Sequence, residues 1–446
     1  MASWLFSAPA LPEASRRTYR FHLLFAVFDA VAGGLIATAP VIALKEMSAP
    51  VWQLGLSLTL SGAGMLSTLY LSNWMASRPK MPFVVLPGVA SALATGLMAF
   101  TNNSLLFLFL GGVGLMFSTI TRPAVAAIVR LNYPASHRGQ ATGEIRAWSS
   151  LVFVLAFLAS SAVLDVASNY SARLGLTVVR GLILLAGAMC LTSFLFFHRI
   201  RVAEDPSDLV ADYRPHVLQS FREAFAVVAR NALYRRYVLV CLLYNFAAMT
   251  YVSYIPAFLE KDLHYTYVQC ALLLHIVPAV VSFLTTGWLG RWFDRTRLST
   301  AWAWVAFGWG LDPLLLAATA ASAAFFGPAA LIIPVLARIS RGTVQGGLWI
   351  LWWQIGAARF ARTGGEASRY QGILVFVDGI TRMTAPAVGA WILAASGSSR
   401  EVLFLVGGLG VMLSGVLFLF DGRYPGVGAR ITPPDAPDTQ FRDGAP

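Results

Sequence analysis

A few ionisable side chains interrupt otherwise apolar stretches of this chain: Asp29, Arg122, Arg146, His275, Asp312, Arg338, Arg341, Asp378 and Arg382. On insertion scales each costs about 2.5–3.5 kcal/mol at the centre of a membrane helix, so such a group faces a partner or a polar path. Asp29 lies about nine residues into its stretch, roughly 14 Å deep at 1.5 Å per residue, too deep for a short side chain to reach water. It reads either as a buried acid paired with an arginine or as a group that exchanges a proton or contacts a ligand.

Asp312 precedes Pro313, which removes a backbone donor, and is expected to satisfy the loosened helix ladder in preference to touching a ligand. Asp378 and Arg382 stand one helical turn apart, where opposite charges meet on one face, as an intrahelical pair or a switchable site. Arg338 and Arg341, near the middle of their stretch, call for an anionic ligand group or for carboxylates such as Asp29 and Asp378. Arg122 and Arg146 are expected to lie near helix ends and snorkel. His275 titrates near neutral pH and is a candidate relay, although a lone histidine in an apolar helix is more often a packing residue. Trp302, Trp304 and Trp309, with Trp349, Trp352 and Trp353, suit a lipid-facing belt or, facing inward, a flat or cationic solute.

The elements that position these groups follow from composition. The 446 residues are 57% hydrophobic and 12% charged, with mean hydropathy +0.66; an average soluble domain is about 25% charged. Spans of roughly 20 apolar residues are expected at Phe21 to Ala43, Val51 to Trp74, Pro82 to Phe100, Leu105 to Ile128, Trp148 to Val166 and Gly181 to Phe197. A second set follows at Tyr237 to Leu259, Val268 to Leu289, Thr300 to Ala323, Pro328 to Trp353, Gly372 to Ala395 and Leu403 to Leu419. The fold class is thus an all-α integral membrane protein with twelve transmembrane helices in two pseudo-symmetric six-helix bundles, residues 21–197 and 237–420. Residues 1–20 are expected to be an uncleaved N-terminus, 198–236 a linker ending in an interfacial helix, and 421–446 a disordered tail.

Arg16, Arg17 and Arg20, Arg78 and Lys80, Arg130 and Arg138, Arg291, Arg295 and Arg297, and Arg359, Arg362 and Arg369 all fall on one side of this layout. The positive-inside rule makes that side, with both termini, the cytoplasm of a bacterial-type inner membrane. The net charge of +12 thereby has a membrane explanation and calls for no nucleic acid. Cys190, Cys241 and Cys270 lie in apolar stretches and read as packing residues. No phosphate-binding loop, zinc-ligand pair or nucleophile elbow is found, so neither an enzyme nor a cofactor is expected.

An internal repeat sharpens the layout. An offset of 216 residues aligns Arg20 with Arg236, Phe28 with Tyr244, Asp29 with Asn245, Pro40 with Pro256, Lys45 with Lys261, Glu46 with Asp262 and Gln53 with Gln269 without a gap. Both copies begin at the same face, as in parallel repeats about an axis along the membrane normal. With Gly287, Gly290, Arg291, Asp294, Arg295 and Arg297 after the eighth span, the chain resembles the major facilitator superfamily. The second copy of that family's loop motif is the better kept, and Ser72 to Pro82 retains only Arg78 and Lys80.

The resemblance implies two rocking bundles, a central solute path and a secondary transporter of a small solute, expected to be a monomer coupled to protons, with a mild preference for export of an organic or amphipathic compound. Asp29, Asn245, His275, Asp312, Arg338, Arg341, Asp378 and Arg382 are its substrate and coupling candidates. A cytoplasmic gate is expected where Gly287, Arg291, Asp294, Arg295 and Arg297 meet Glu144 and Arg146 at the start of the fifth span, with Arg78 and Lys80 in the other loop. The alternative is a transporter-like sensor or assembly factor that moves no solute.

Overall fold

The computed structural model of the chain describes residues 11, 13–76, 78–202, 217–294, 296–326, 332–349, 351, 360 and 364–420. The expected tail, most of the expected linker, and Arg295, Trp352, Trp353, Arg359 and Arg362 lie outside the described residues. The described residues are almost wholly helical, as the apolar solvent requires: backbone N–H and C=O groups must be satisfied within each segment.

The first half comprises α1 (Glu13–Ile36), α2 (Ala39–Met47), α3 (Gly55–Ala76), α4 (Pro82–Leu97), α5 (Ser104–Asn132), α6 (Ala135–Tyr170) and α7 (Ala172–His198). A short helix, α8 (Val217–Arg230), precedes the second half: α9 (Ala232–Val252), α10 (Ile255–Ala257), α11 (Tyr267–Ala271), α12 (Val277–Asp294), α13 (Leu298–Phe326), α14 (Ile332–Trp349), α15 (Gly364–Ala395) and α16 (Arg400–Leu419). Ten stretches among the described residues are long and apolar enough to cross a membrane. The helices α3, rich in glycine, serine and threonine, and α14, carrying two arginines, complete the twelve.

The first and seventh spans are each broken, and at repeat-equivalent places. Helix α1 stops before Ala37–Thr38 and restarts as α2 around Pro40, and α9 stops before Ser253–Tyr254 and restarts as α10 around Pro256. A proline without an N–H leaves a carbonyl one turn earlier unpaired and ends the ladder there. Each break is followed by a basic–acidic pair, Lys45–Glu46 and Lys261–Asp262, on the face opposite α8. Several helices extend beyond the expected spans: α6 starts at Ala135, not Trp148, and α15 at Gly364, not Gly372. Hydropathy marks where lipid begins, whereas helical hydrogen bonding continues into water.

Each half packs around its own core, α1 against α6 and α7 and α3 against α5 in the first, α13 against α14 and α16 in the second. The principal contact between halves is α3 against α15. It requires glycine, because a Cβ added at Gly62 would stand 2.7 Å from the Gly379 carbonyl, and one at Gly379 would stand 3.0 Å from that of Gly62. Small residues at such a crossing let two backbones meet. Helix α8 lies across this seam, touching α3, α9 and α15, with the Phe221 ring 5.2 Å from that of Phe376.

Candidate functional site

The ionisable groups of the membrane interior divide into two clusters. The first lies between the halves. Asp29 of α1 faces two cations of its own half, Arg122 of α5 and Arg146 of α6, whose charges both act on it. Across the gap, Asp378 and Arg382 of α15 lie within electrostatic range of Arg122. Arg122 and Arg146 are exposed at the protein surface although protein surrounds them on most sides. Their expected snorkelling is therefore corrected. Arg122 is ten residues, roughly 15 Å at 1.5 Å per residue, from the end of α5, because α5 and α6 are longer than hydropathy suggested, and both arginines turn inward to Asp29.

On the opposite wall, Asp378 Oδ1 accepts from Arg382 Nε at 3.0 Å and from Asn245 Nδ2 at 3.0 Å. The intrahelical pair is thus formed, and the repeat partner of Asp29 supports it from α9. Arg382 stays 26% exposed, whereas the acid is sealed. Three arginines against two aspartates leave this cluster with an excess of one positive charge, on the side of Arg122 and Arg146.

The second cluster lies inside the second half. Arg338 of α14 donates through Nη2 to Asp312 Oδ1, and Arg341 Nη1 is 4.0 Å from Asp312 Oδ2. Two expectations are corrected here. Asp312 serves an arginine and not the backbone beside Pro313, and Arg338 and Arg341 take neither Asp29 nor Asp378 as partner. Both corrections have one cause: α13 and α14 pack side by side, which brings together charges 26 residues apart in sequence. The Arg341 guanidinium also covers the Trp309 ring at 4.6 Å. Trp302 and Trp309 are buried and Trp304 is exposed, so these indoles divide between core and periphery.

His275 falls in a π-helical turn, Leu272–Ile276, between α11 and α12. Its ring meets Phe157 edge-on at 4.9 Å and Phe153 at 5.7 Å, both on α6 of the other half. Beyond it, on the face away from α8, the halves are laced together. Asp165 near the end of α6 accepts from the backbone N–H groups of Tyr267 (2.7 Å) and Val268 (2.9 Å) at the start of α11. Glu46 accepts from Tyr267 Oη and Ser168 Oγ, both at 2.9 Å, Lys45 lies over the Tyr267 ring, and Lys261 donates to the Ala49 carbonyl. Sequence reasoning passed over Asp165; its only signal was an acid near the end of a span.

Toward the α8 face the described parts of α6 and α12 do not form such a seam, and α6 meets the second half chiefly at α11. Of the expected gate residues, Glu144 accepts from Tyr19 Oη at 3.0 Å within its own half, and Arg146 lies within electrostatic range of Asp29. Arg291 and Arg297 are exposed, and a Cβ at Gly287 would meet nothing. Arg78 covers the Trp74 ring at 5.2 Å, and Lys80 is half-buried in the same loop. Asp294 closes α12, but its side chain and Arg295 lie outside the described residues.

The sequence matches the profile of the Major Facilitator Superfamily over residues 21–365. Among solved structures, the nucleoside transporter NupG (D323A mutant) covers 90% of this chain and 98% of its own at 13% identity, with a TM-score of 0.66. The D-xylose-proton symporter covers 93% and 99% at 12% identity (TM-score 0.63). The human organic anion transporter MFSD10 covers 91% and 100% at 14% identity (TM-score 0.61). At these identities the likeness is one of fold. No curated protein matches the chain by sequence.

Proposed function

Because this chain belongs to the Major Facilitator Superfamily, we propose that it is a secondary active transporter that moves a small organic solute through the gap between its halves by alternating access. The observation that carries the reading is the cross-half cluster: Asp29, Arg122, Arg146, Asp378 and Arg382 gather from both bundles, with Arg122 and Arg146 exposed at the protein surface. Groups held between two bodies that rock against each other can change partners during the cycle, which groups inside one body cannot. The excess positive charge at Arg122 and Arg146 suits a solute with an anionic group.

The coupling ion in this reading is the proton and its carrier is Asp29. Protonation of Asp29 releases two arginines, and an arriving anion takes their charge. With the α8 face placed in the cytoplasm of an inner membrane, the molecule is open inward, and the far-face lacing of Asp165, Glu46 and Tyr267 is the closed gate. The loop of Arg78 and Lys80 and that of Gly287, Arg291, Asp294, Arg295 and Arg297 form the opposing gate, engaged when the molecule opens outward. Export remains the proposed direction, from span number and aromatic content, and the protein acts as a monomer.

The test uses purified protein in proteoliposomes, with a solute chosen by thermal-shift screening of organic anions, nucleosides and sugars. Asp29→Asn is expected to abolish accumulation driven by a pH gradient, imposed in either orientation, while counterflow exchange persists. Proton-coupled accumulation that survives in the variant removes Asp29 from the coupling role. Absence of flux for every solute that binds favours the transporter-like sensor.

A further inference from the structure

The cluster inside the second half has an unbalanced charge that the solute gap does not explain. The Arg338 side chain is 1% exposed, Asp312 is 0% exposed and Arg341 is 17% exposed. Two guanidinium groups, which keep their protons in proteins, thus face a single carboxylate in a low-dielectric interior. Buried charges are tolerated when paired and hydrogen-bonded, and strongly disfavoured otherwise.

The hydrogen bonding is unbalanced in the same direction. Arg338 spends Nη2 on Asp312, while its Nε and Nη1 find no acceptor among the described residues, nor does Arg341 Nε; against these three donor nitrogens stands one unpartnered acceptor, Asp312 Oδ2. The other acids of the membrane interior are engaged elsewhere, Asp378 by Asn245 and Arg382, and Asp29 by Arg122 and Arg146. His275 also lies within electrostatic range, but a histidine can only add positive charge. Stacking of Arg341 on Trp309 stabilises the cation without neutralising it. The missing element is one negative charge with acceptor capacity for several N–H groups. Tyr251 of α9, within electrostatic range of all three charged residues, offers a further hydroxyl donor.

We propose that the Asp312–Arg338–Arg341 cluster is a binding site for a monovalent anion within the C-terminal bundle, held by the free N–H groups of the two arginines. The site lies between α13 and α14 of the second half, within electrostatic range of His275, whose ring meets α6 of the other half. Its occupancy therefore sets the electrostatic field of that half with residues other than the Asp29 cluster. The same chemistry can come from a small inorganic ion or from a carboxylate group that enters beside the partly exposed Arg341.

The test compares melting temperatures of the detergent-purified full chain in sodium gluconate, sodium bromide and sodium acetate. Since salts also act on the whole surface, the readout is the difference between wild type and Arg341→Gln. Bromide or acetate is expected to raise the wild-type melting temperature by about 3 °C over gluconate, and Arg341→Gln to lose that increment. Stabilisation by bromide and not acetate identifies an inorganic ion, acetate and not bromide identifies a carboxylate, and both together identify a site for small anions of either kind.

Asp312→Asn is the second variant and discriminates most sharply. Removing the only acid paired with these arginines among the described residues should tighten anion binding, about tenfold by the added Coulomb attraction, so that a lower anion concentration gives half the thermal shift. A purely structural ion pair would lose stability in Asp312→Asn equally in all three salts. Melting that is independent of the anion in wild type and in Asp312→Asn overturns the proposal, whether or not Arg341→Gln folds.

Discussion

The two charge clusters use the same residue types and differ in what surrounds them. Between the halves, Asp29 lies within electrostatic range of Arg122 and Arg146, both exposed at the protein surface. Inside the second half, Asp312 and Arg338 are sealed between helices that stay packed together. Accessibility therefore separates an exchangeable charge from a fixed one. A pair that can be rehydrated loses little when it parts, and one enclosed by a bundle strands its partner if either member is removed.

Four substitutions can break or sharpen this contrast. The largest effect is expected for Arg338→Gln, which removes the buried hydrogen-bonded partner of Asp312 and leaves it only Arg341 at 4.0 Å, and should destabilise the protein by about 3 kcal/mol. Denaturant unfolding in detergent measures it, and a loss below about 1 kcal/mol would mean that the cluster is not sealed. Gly62→Val comes next. A Cβ at Gly62 meets the Gly379 carbonyl, so overpacking at the α3–α15 seam should cost about 1–3 kcal/mol and slow transport. Normal stability and normal flux would show that the seam gives way easily.

Asp165→Asn weakens the charge-assisted cap on α11 and should cost about 1 kcal/mol. Its distinctive readout is faster thiol labelling of a cysteine placed at Ser168; labelling unchanged from the parent would rule out Asp165 as part of the far-face closure. The smallest stability change, within about 0.5 kcal/mol, is expected for Asp29→Asn, even though coupled accumulation is lost. Should Asp29→Asn unfold the protein as severely as Arg338→Gln, the gap cluster would also be structural and the contrast would fail.

The amino-acid sequence by itself determined the solvent of the chain, the number of membrane spans and the relation between its halves. Those properties rest on local quantities: apolar length, and identities repeated at a fixed offset. The shared prolines stand where the first and seventh spans break, because a missing N–H acts within one turn, a break that the expected continuous spans did not include. The Asp378–Arg382 pair was legible for the same reason, lying one turn apart.

Only the tertiary structure decided which distant charges meet. Arg122 and Arg146 looked like snorkelling residues until the length of α5 and α6 placed them in the gap. Asp312 found Arg338 because α13 packs on α14, and Asp165 came to tie the two halves together because α6 ends beside α11. Coulomb attraction in a membrane interior depends on separation and on burial, and neither is set by position along the chain.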